Sequence, residues 1–217
     1  MSYTYSINAK PLLNYIEKMV SLDEAAVEII SKSCREVLIP KGHTIYNDGT
    51  VSRYVYFMVS GKARSYYVDY MGKSITWSLH FNEAQGDFKN LFIIDHKSFL
   101  TQTRGNMHIE AVTDIKVIRI EHRSLELNFK YAPLVEKYLQ KLNEYSFTAA
   151  YDRIFNLLTL SASDRYYHLL CKEPHLLQLF PDKHLASYIG IEPQSLSRIR
   201  KNLKSISVPR SAILVAR

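Results

Sequence analysis

Near the carboxy-terminal end of the chain, Gln194, Ser195, Ser197, Arg198, Arg200, Lys201 and Asn202 bring hydrogen-bond donors and acceptors close together. Groups of these types match the surface of a DNA duplex. A guanidinium pairs with guanine O6 and N7, a carboxamide pairs with adenine N6 and N7, and hydroxyl or ammonium groups reach phosphate oxygens. Such chemistry needs a rigid rod that presents the side chains on one face. Leu196 and Ile199, three residues apart among the polar positions, predict an amphipathic helix that buries its opposite face. Pro193 opens that helix where a missing N–H costs nothing, although Glu192 before it is a poorer cap than Ser or Thr.

The helix needs a partner, and the residues before it supply one. Ala186 is small where two steeply crossing helices must approach. Gly190, four residues later, suits the left-handed backbone that ends the first helix. Leu185, Ile189, Ile191, Leu196 and Ile199 fall where the two helices face each other and the core. The segment from Asp182 to Lys201 therefore predicts a helix-turn-helix. An ordinary helical hairpin with a solvated basic face would share the charge but has no need of this combination of Ala, Gly and Pro.

Charge supports the same reading. Residues 181–217 hold seven Lys or Arg against two acids, a net of +5 out of +7 for the whole 217-residue chain. A basic module on a nearly neutral body is the electrostatic footprint of nucleic-acid binding. A basic membrane-surface helix would carry a broader face of large apolar residues.

Other chemistry-bearing residues are scattered. Cys34 and Cys171 stand apart, with no Cys-x-x-Cys pair, and read as two buried thiols in a reduced compartment. The eight histidines form no close pair. His80, His96 and His108 converging inside a β-barrel is the alternative that would make the protein a cupin-like, metal-dependent enzyme. No other cofactor site is visible. No apolar run approaches the ~20 residues of a membrane helix, and the first residues lack a secretory signal pattern. These features predict a cytoplasmic protein with the globular composition of 47% apolar and 23% charged residues.

The elements ahead of the tail can be read more coarsely. Six of the seven glycines lie between residues 42 and 105, marking a turn-rich β region. Within it Val55, Phe57 and Val59 alternate with other residues, as do Ile75, Trp77, Leu79 and Phe81, the period of half-buried strands. Ser21 to Glu24 reads as a capping box that opens a helix reaching roughly Ser31. From Pro133 to Leu160 the chain has no glycine or internal proline. Leu134, Tyr138, Leu142, Tyr145 and Ala149 recur there at helical spacing, so this predicts a long helix that serves as either a core helix or a dimer seam. A further helix runs from Ser163 to Cys171.

The order of helix, β region, long helix and helix-turn-helix resembles the Crp/Fnr family of bacterial transcription regulators. Pro40–Gly49, Val55–Lys62, Gly72–Thr76, Ser98–Thr101 and Ile109–Asp114 resemble segments common in that family. The resemblance implies an α+β architecture. It consists of an N-terminal antiparallel β-roll with flanking helices (residues 1–130), a long dimerisation helix (131–160), and a C-terminal winged-helix or helix-turn-helix domain (161–217). It further implies a non-enzymatic homodimer that reads a palindromic operator in double-stranded DNA and works with RNA polymerase. By the same analogy Gln194 and Arg198 read bases, while Ser195, Arg200 and Lys201 meet phosphates. The family's wing would have to be short, because only Lys204 to Arg217 follow the reading helix.

Cyclic-nucleotide-binding members hold the phosphate with a Gly-Glu pair and an Arg ten residues after the Glu. Here Ile94 and Asp95 occupy the pair, and Gly105 followed by Asn106 occupies the arginine slot, with Arg104 displaced by one residue. A buried phosphodiester needs its cation, so the expectation is a degenerate cassette and no response to cyclic AMP. A cyclic-nucleotide-responsive regulator of the same fold is the alternative.

Overall fold

The computed structural model describes residues 9–19, 21–83, 88–124 and 133–205, with the backbone alone at 88, 89, 133–139, 142, 204 and 205. It divides into two compact units, Met1–Tyr67 with Trp77–Ala149, and Val68–Thr76 with Ala150–Arg217.

The first unit begins with helices α1 (Lys10–Glu17) and α2 (Glu24–Ser33). The cap of α2 is Asp23, whose carboxylate accepts the Ala26 N–H at 2.7 Å. Ser21, the residue expected to cap, therefore lies outside the helix, because Asp23 sits three positions before an amide its side chain can reach. Among the described residues eight strands follow: β1 (Cys34–Ile39), β2 (Thr44–Tyr46), β3 (Tyr54–Ser60), β4 (Lys62–Val68), β5 (Ser74–Phe81), β6 (Phe92–Ile93), β7 (His108–Ala111) and β8 (Ile115–Glu121). Short helices α3 (Phe88–Leu91) and α4 (His96–Thr101) interrupt them. One sheet has the order β1-β8-β3-β6 and the other β2-β7-β4-β5. Strand β8 pairs antiparallel with both β1 and β3, and β7 with both β2 and β4.

Two cores follow from the two faces of β3 and β8. Tyr56, Met58, Ile115 and Val117 turn toward Ala63, Ile109 and Ala111 of the other sheet. Val55, Phe57, Ile118 and Ile120 turn the opposite way, onto Leu12 and Ile16 of α1 and Phe99 of α4. The expectation of half-buried strands therefore fails at β3, where four consecutive residues from Val55 to Met58 are buried. A strand between a sheet and a helix layer has no solvent face. Likewise Thr76 and His80, which alternate with the apolar residues of β5, are buried. The Nε2 of His80 lies 2.6 Å from Ser65 Oγ.

Helix α5 (Pro133–Thr159) is 27 residues long, and its last ten belong to the second unit. That unit continues with α6 (Ala162–Lys172), α7 (Leu176–Leu179), α8 (Asp182–Tyr188) and α9 (Pro193–Ser205). Ser161 caps α6 by accepting the Asp164 N–H. Residues 206–217, where a wing would have to form, lie outside the described residues.

Candidate nucleic-acid interface

Helix α9 is positioned from its buried face outward. Leu196 is fully buried and Ile199 nearly so, as are Leu185, Ala186 and Ile189 of the preceding helix and turn, which α9 packs against. Helix α8 ends in a Schellman arrangement, with the Ile191 N–H bonded to Ala186 O at 2.9 Å and the Gly190 N–H to Ser187 O at 3.2 Å. Gly190 is the left-handed residue this closure requires, at φ +70°. A Cβ added there would stand 3.0 Å from Leu157 Cδ2. Arg165 fastens the turn: its Nε donates to Ile189 O at 2.7 Å and its Nη1 to Leu160 O at 2.6 Å. The sequence alone does not distinguish Arg165 from other surface arginines, since the turn carbonyl it holds, Ile189 O, lies 24 residues away.

The polar side of α9 is open. Gln194, Ser197, Arg198, Lys201 and Asn202 are exposed, and Ser195 is half-buried. Arg200 is placed differently. Its Nε donates to the Tyr166 hydroxyl at 3.0 Å and its Nη1 to Asp182 Oδ2 at 2.6 Å, so it ties α9 back to α6 and α8. A guanidinium held by two partners within its own unit is engaged in packing, and Gln194, Arg198 and Lys201 form the outward row.

A second group of contacts comes from Lys73 and the first residues of β5. Lys73 Nζ meets Glu192, the residue before α9, at 2.5 Å. Ser187 of α8 accepts the Thr76 N–H at 2.9 Å and donates to Ser74 O at 2.7 Å. Arg153 of α5 donates from one nitrogen to Thr76 O at 2.5 Å and to Tyr188 O at 2.8 Å, and its guanidinium lies 4.4 Å from the Tyr188 ring centroid. Burial pushes the Arg153 pKa down, against the pull of Tyr188 and Glu173. Nothing in the order of residues along the chain singles out this constellation, because its members come from three separate stretches.

At the cassette positions, Ile94 is buried among the helix-side core residues. Asp95 is buried and caps α4, accepting the Ser98 N–H at 3.1 Å. A Cβ on Gly105 would lie 2.0 Å from Asp95 Oδ2, so the glycine leaves room for this carboxylate. Ser98 Oγ accepts the Ser52 N–H at 2.9 Å and donates to Thr103 O at 2.6 Å. Arg104 and Asn106 are exposed. Of the three histidines considered for a metal, His80 bonds Ser65 and His108 stacks on Tyr66. Burial lowers the pKa of His96. Among the described residues no group of three or more His, Cys, Asp or Glu is arranged to hold a metal ion. No described helix is long and apolar enough to cross a membrane.

Two packed antiparallel sheets with flanking helices, a long helix and a terminal helix-turn-helix define the Crp/Fnr type of fold. Solved structures of that type superpose on nearly the whole chain. A CooA variant from Carboxydothermus hydrogenoformans aligns with a TM-score of 0.68 at 17% identity, over 94% of this chain and 87% of that one. A transcriptional regulator assigned to the Crp/Fnr family from Eubacterium rectale aligns at 0.66 and 18% identity, covering 90% and 87%. The c-di-GMP responsive global regulator CLP of Xanthomonas campestris aligns at 0.63 and 15% identity, covering 84% and 92%. No protein-family model matches the chain, and no curated protein matches it by sequence.

Proposed function

We propose that the protein is a DNA-binding transcription regulator of the Crp/Fnr family, a cytoplasmic non-enzyme that reads a palindromic operator as a homodimer and acts on RNA polymerase. The observation that carries this reading is the outward row Gln194, Arg198 and Lys201 on a helix whose other face is fixed by Leu196 and Ile199. Arg198 reads guanine, Gln194 reads adenine, and Lys201 with Ser195 holds phosphates. The net charge of +5 over residues 181–217 supplies the attraction to the backbone.

Homodimerisation is supported by an apolar stripe on α5. Phe147, Tyr151, Ile154 and Leu158 are all exposed, at spacings of four, three and four residues. That is the pattern of a coiled-coil seam. The stripe lies further along than the one expected from the sequence. Of the residues expected there, Tyr145 is exposed and Ala149 half-buried, while the side chains of Leu134, Tyr138 and Leu142 lie outside the described residues. The proposed division is a sensor over residues 1–130, the connecting helix over 131–160 and the DNA-binding domain over 161–217.

The roll does not answer to cyclic AMP in this reading. Where a phosphate would need a cation and open backbone, the chain sets the buried Asp95 carboxylate against Gly105 and the buried side chain of Ile94. An added anion would meet negative charge and a filled space.

Selection of random duplex fragments by the purified protein at moderate salt tests the proposal. Enrichment of a palindrome with half-sites about 34 Å apart, lost or relaxed in Arg198→Ala, supports it. Failure to enrich any sequence, with no salt-sensitive affinity for duplex, sinks it.

A further inference from the structure

We infer that Arg35 and Arg119, facing each other across strands β1 and β8, form a binding site for a doubly charged oxyanion, of which a phosphate monoester is the chemical type. The site lies within the first unit, shares no residue with cassette positions 94, 95 and 104–106, and is independent of the DNA reading proposed above.

The two arginines end one cross-strand row. Ile93 of β6 is the register partner of Tyr56 in β3, Tyr56 that of Arg119 in β8, and Arg119 that of Arg35 in β1. Ile93 and Tyr56 are buried, Arg119 is half-buried and Arg35 is exposed, so the row runs from the core to the open edge strand. Directly opposed residues of antiparallel strands hold their Cβ atoms about 4.5–5.5 Å apart, and like charges in that relation are destabilising. Among the described residues no ion pair includes Arg35 or Arg119. Arg35 turns one nitrogen to Lys32 O at 3.1 Å and Cys34 O at 2.7 Å, where α2 ends. Arg119 lies with its guanidinium carbon 4.6 Å from the centroid of the Tyr54 ring. That contact answers the charge but leaves the N–H donors of the fork to be met from outside the chain. Arg64, Arg165 and Arg200, by contrast, each donate to a carboxylate or carbonyl of their own unit. The platform beneath Arg119 is itself pinned, because the Tyr46 hydroxyl accepts the Tyr54 N–H at 3.0 Å and donates to Tyr54 O at 2.8 Å.

A tetrahedral oxyanion with two charges suits this pair. One guanidinium fork takes two of its oxygens side by side and the second takes another, which turns a repulsive pair into two charge-assisted contacts. A phosphate monoester carries a charge of about −1.5 to −2 at neutral pH and three acceptor oxygens. A phosphodiester such as a cyclic nucleotide offers one charge and fewer free oxygens, so the site favours the monoester or the free ion over the diester.

Thermal unfolding of the wild type, Arg119→Gln and Arg35→Glu, with inorganic phosphate, glycerol 3-phosphate or cyclic AMP titrated at constant ionic strength, tests the site. Phosphate should raise the wild-type midpoint saturably, by about 5 °C or more at roughly a hundredfold excess over Kd, while cyclic AMP leaves it in place. Arg119→Gln should lose that rise. Arg35→Glu sets a carboxylate opposite Arg119, so it should melt above the wild type without phosphate and gain nothing further from it. Two other effects of phosphate, its exclusion from protein surfaces and binding at the basic face of α9, act alike on all three proteins. An equal rise in all three therefore overturns the site, as does no rise in the wild type or an Arg35→Glu midpoint no higher than that of the wild type without phosphate. Affinity at least tenfold tighter for glycerol 3-phosphate than for phosphate identifies an organic monoester as the occupant, and equal affinity identifies the free ion.

Discussion

At the scale of single residues, exposure and partners separate chemically similar side chains. Arg198 and Arg200 are two positions apart, yet one is open and the other is bound to Tyr166 and Asp182. Arg198→Ala is expected to cost about 1–3 kcal/mol in operator affinity and to relax discrimination at one base pair, whereas Lys201→Ala should weaken binding to all duplexes and flatten the salt slope. Titration of each variant against matched and mismatched duplexes at several salt concentrations checks both. Arg200→Ala should instead lower thermal stability, since it leaves Asp182 and the Tyr166 hydroxyl without this partner. The two thiols diverge in the same way. Burial pushes the Cys34 thiol up to about 12, while Cys171 is exposed. Because the thiolate is the nucleophile, a maleimide at neutral pH should label Cys171 alone in the native protein and both cysteines in denaturant. Rapid native labelling of Cys34, located by peptide mass, would contradict its packing.

Elements make their own demands. The turn between α8 and α9 depends on one backbone conformation, and Gly190→Ala adds a Cβ at φ +70° that also crowds Leu157. A loss of about 1–2 kcal/mol is expected from the left-handed strain, read as a lower thermal midpoint with weakened DNA binding. Leu196→Ala, in the same helix pair, removes a fully buried side chain and should cost about 2–5 kcal/mol. On α5, Leu158 is 80% exposed and Phe147 is 73% exposed, an unfavourable state for large apolar groups that the proposed dimer seam would relieve. Ile154→Glu/Leu158→Glu should convert the dimer to monomer in sedimentation without unfolding the chain, since neither side chain is buried in the monomer. A variant that sediments unchanged would move the seam elsewhere.

For the whole molecule, the question is what enters the sensor and what leaves it. The buried Asp95 beside Gly105 predicts that millimolar cyclic AMP or cyclic GMP leaves both the melting temperature and the operator affinity unchanged. A specific ligand in large excess over its Kd would raise stability by about 2.7 kcal/mol or more, so a clear upward shift of the midpoint would refute the degenerate cassette.

The helix-turn-helix was legible because its signals are local. Ala186, Gly190, Pro193 and the apolar positions lie within one short stretch, where 3.6-residue periodicity and the special backbone of Gly and Pro dictate structure before any tertiary contact forms. The long helix was equally plain from its lack of breakers, although which of its faces stays open was not. Tertiary structure alone decided what lies on the second face of each element. Burial of β3 on both sides, Arg200 turned back to Asp182, Asp95 against Gly105, and Ser187 bonded to residues 111 and 113 positions away are pairings that no local periodicity links. Polar side chains carry no periodic trace of their partners. A serine that pairs with solvent and one that closes a buried strand edge are the same letter in sequence, and only the fold brings the matching backbone groups within reach.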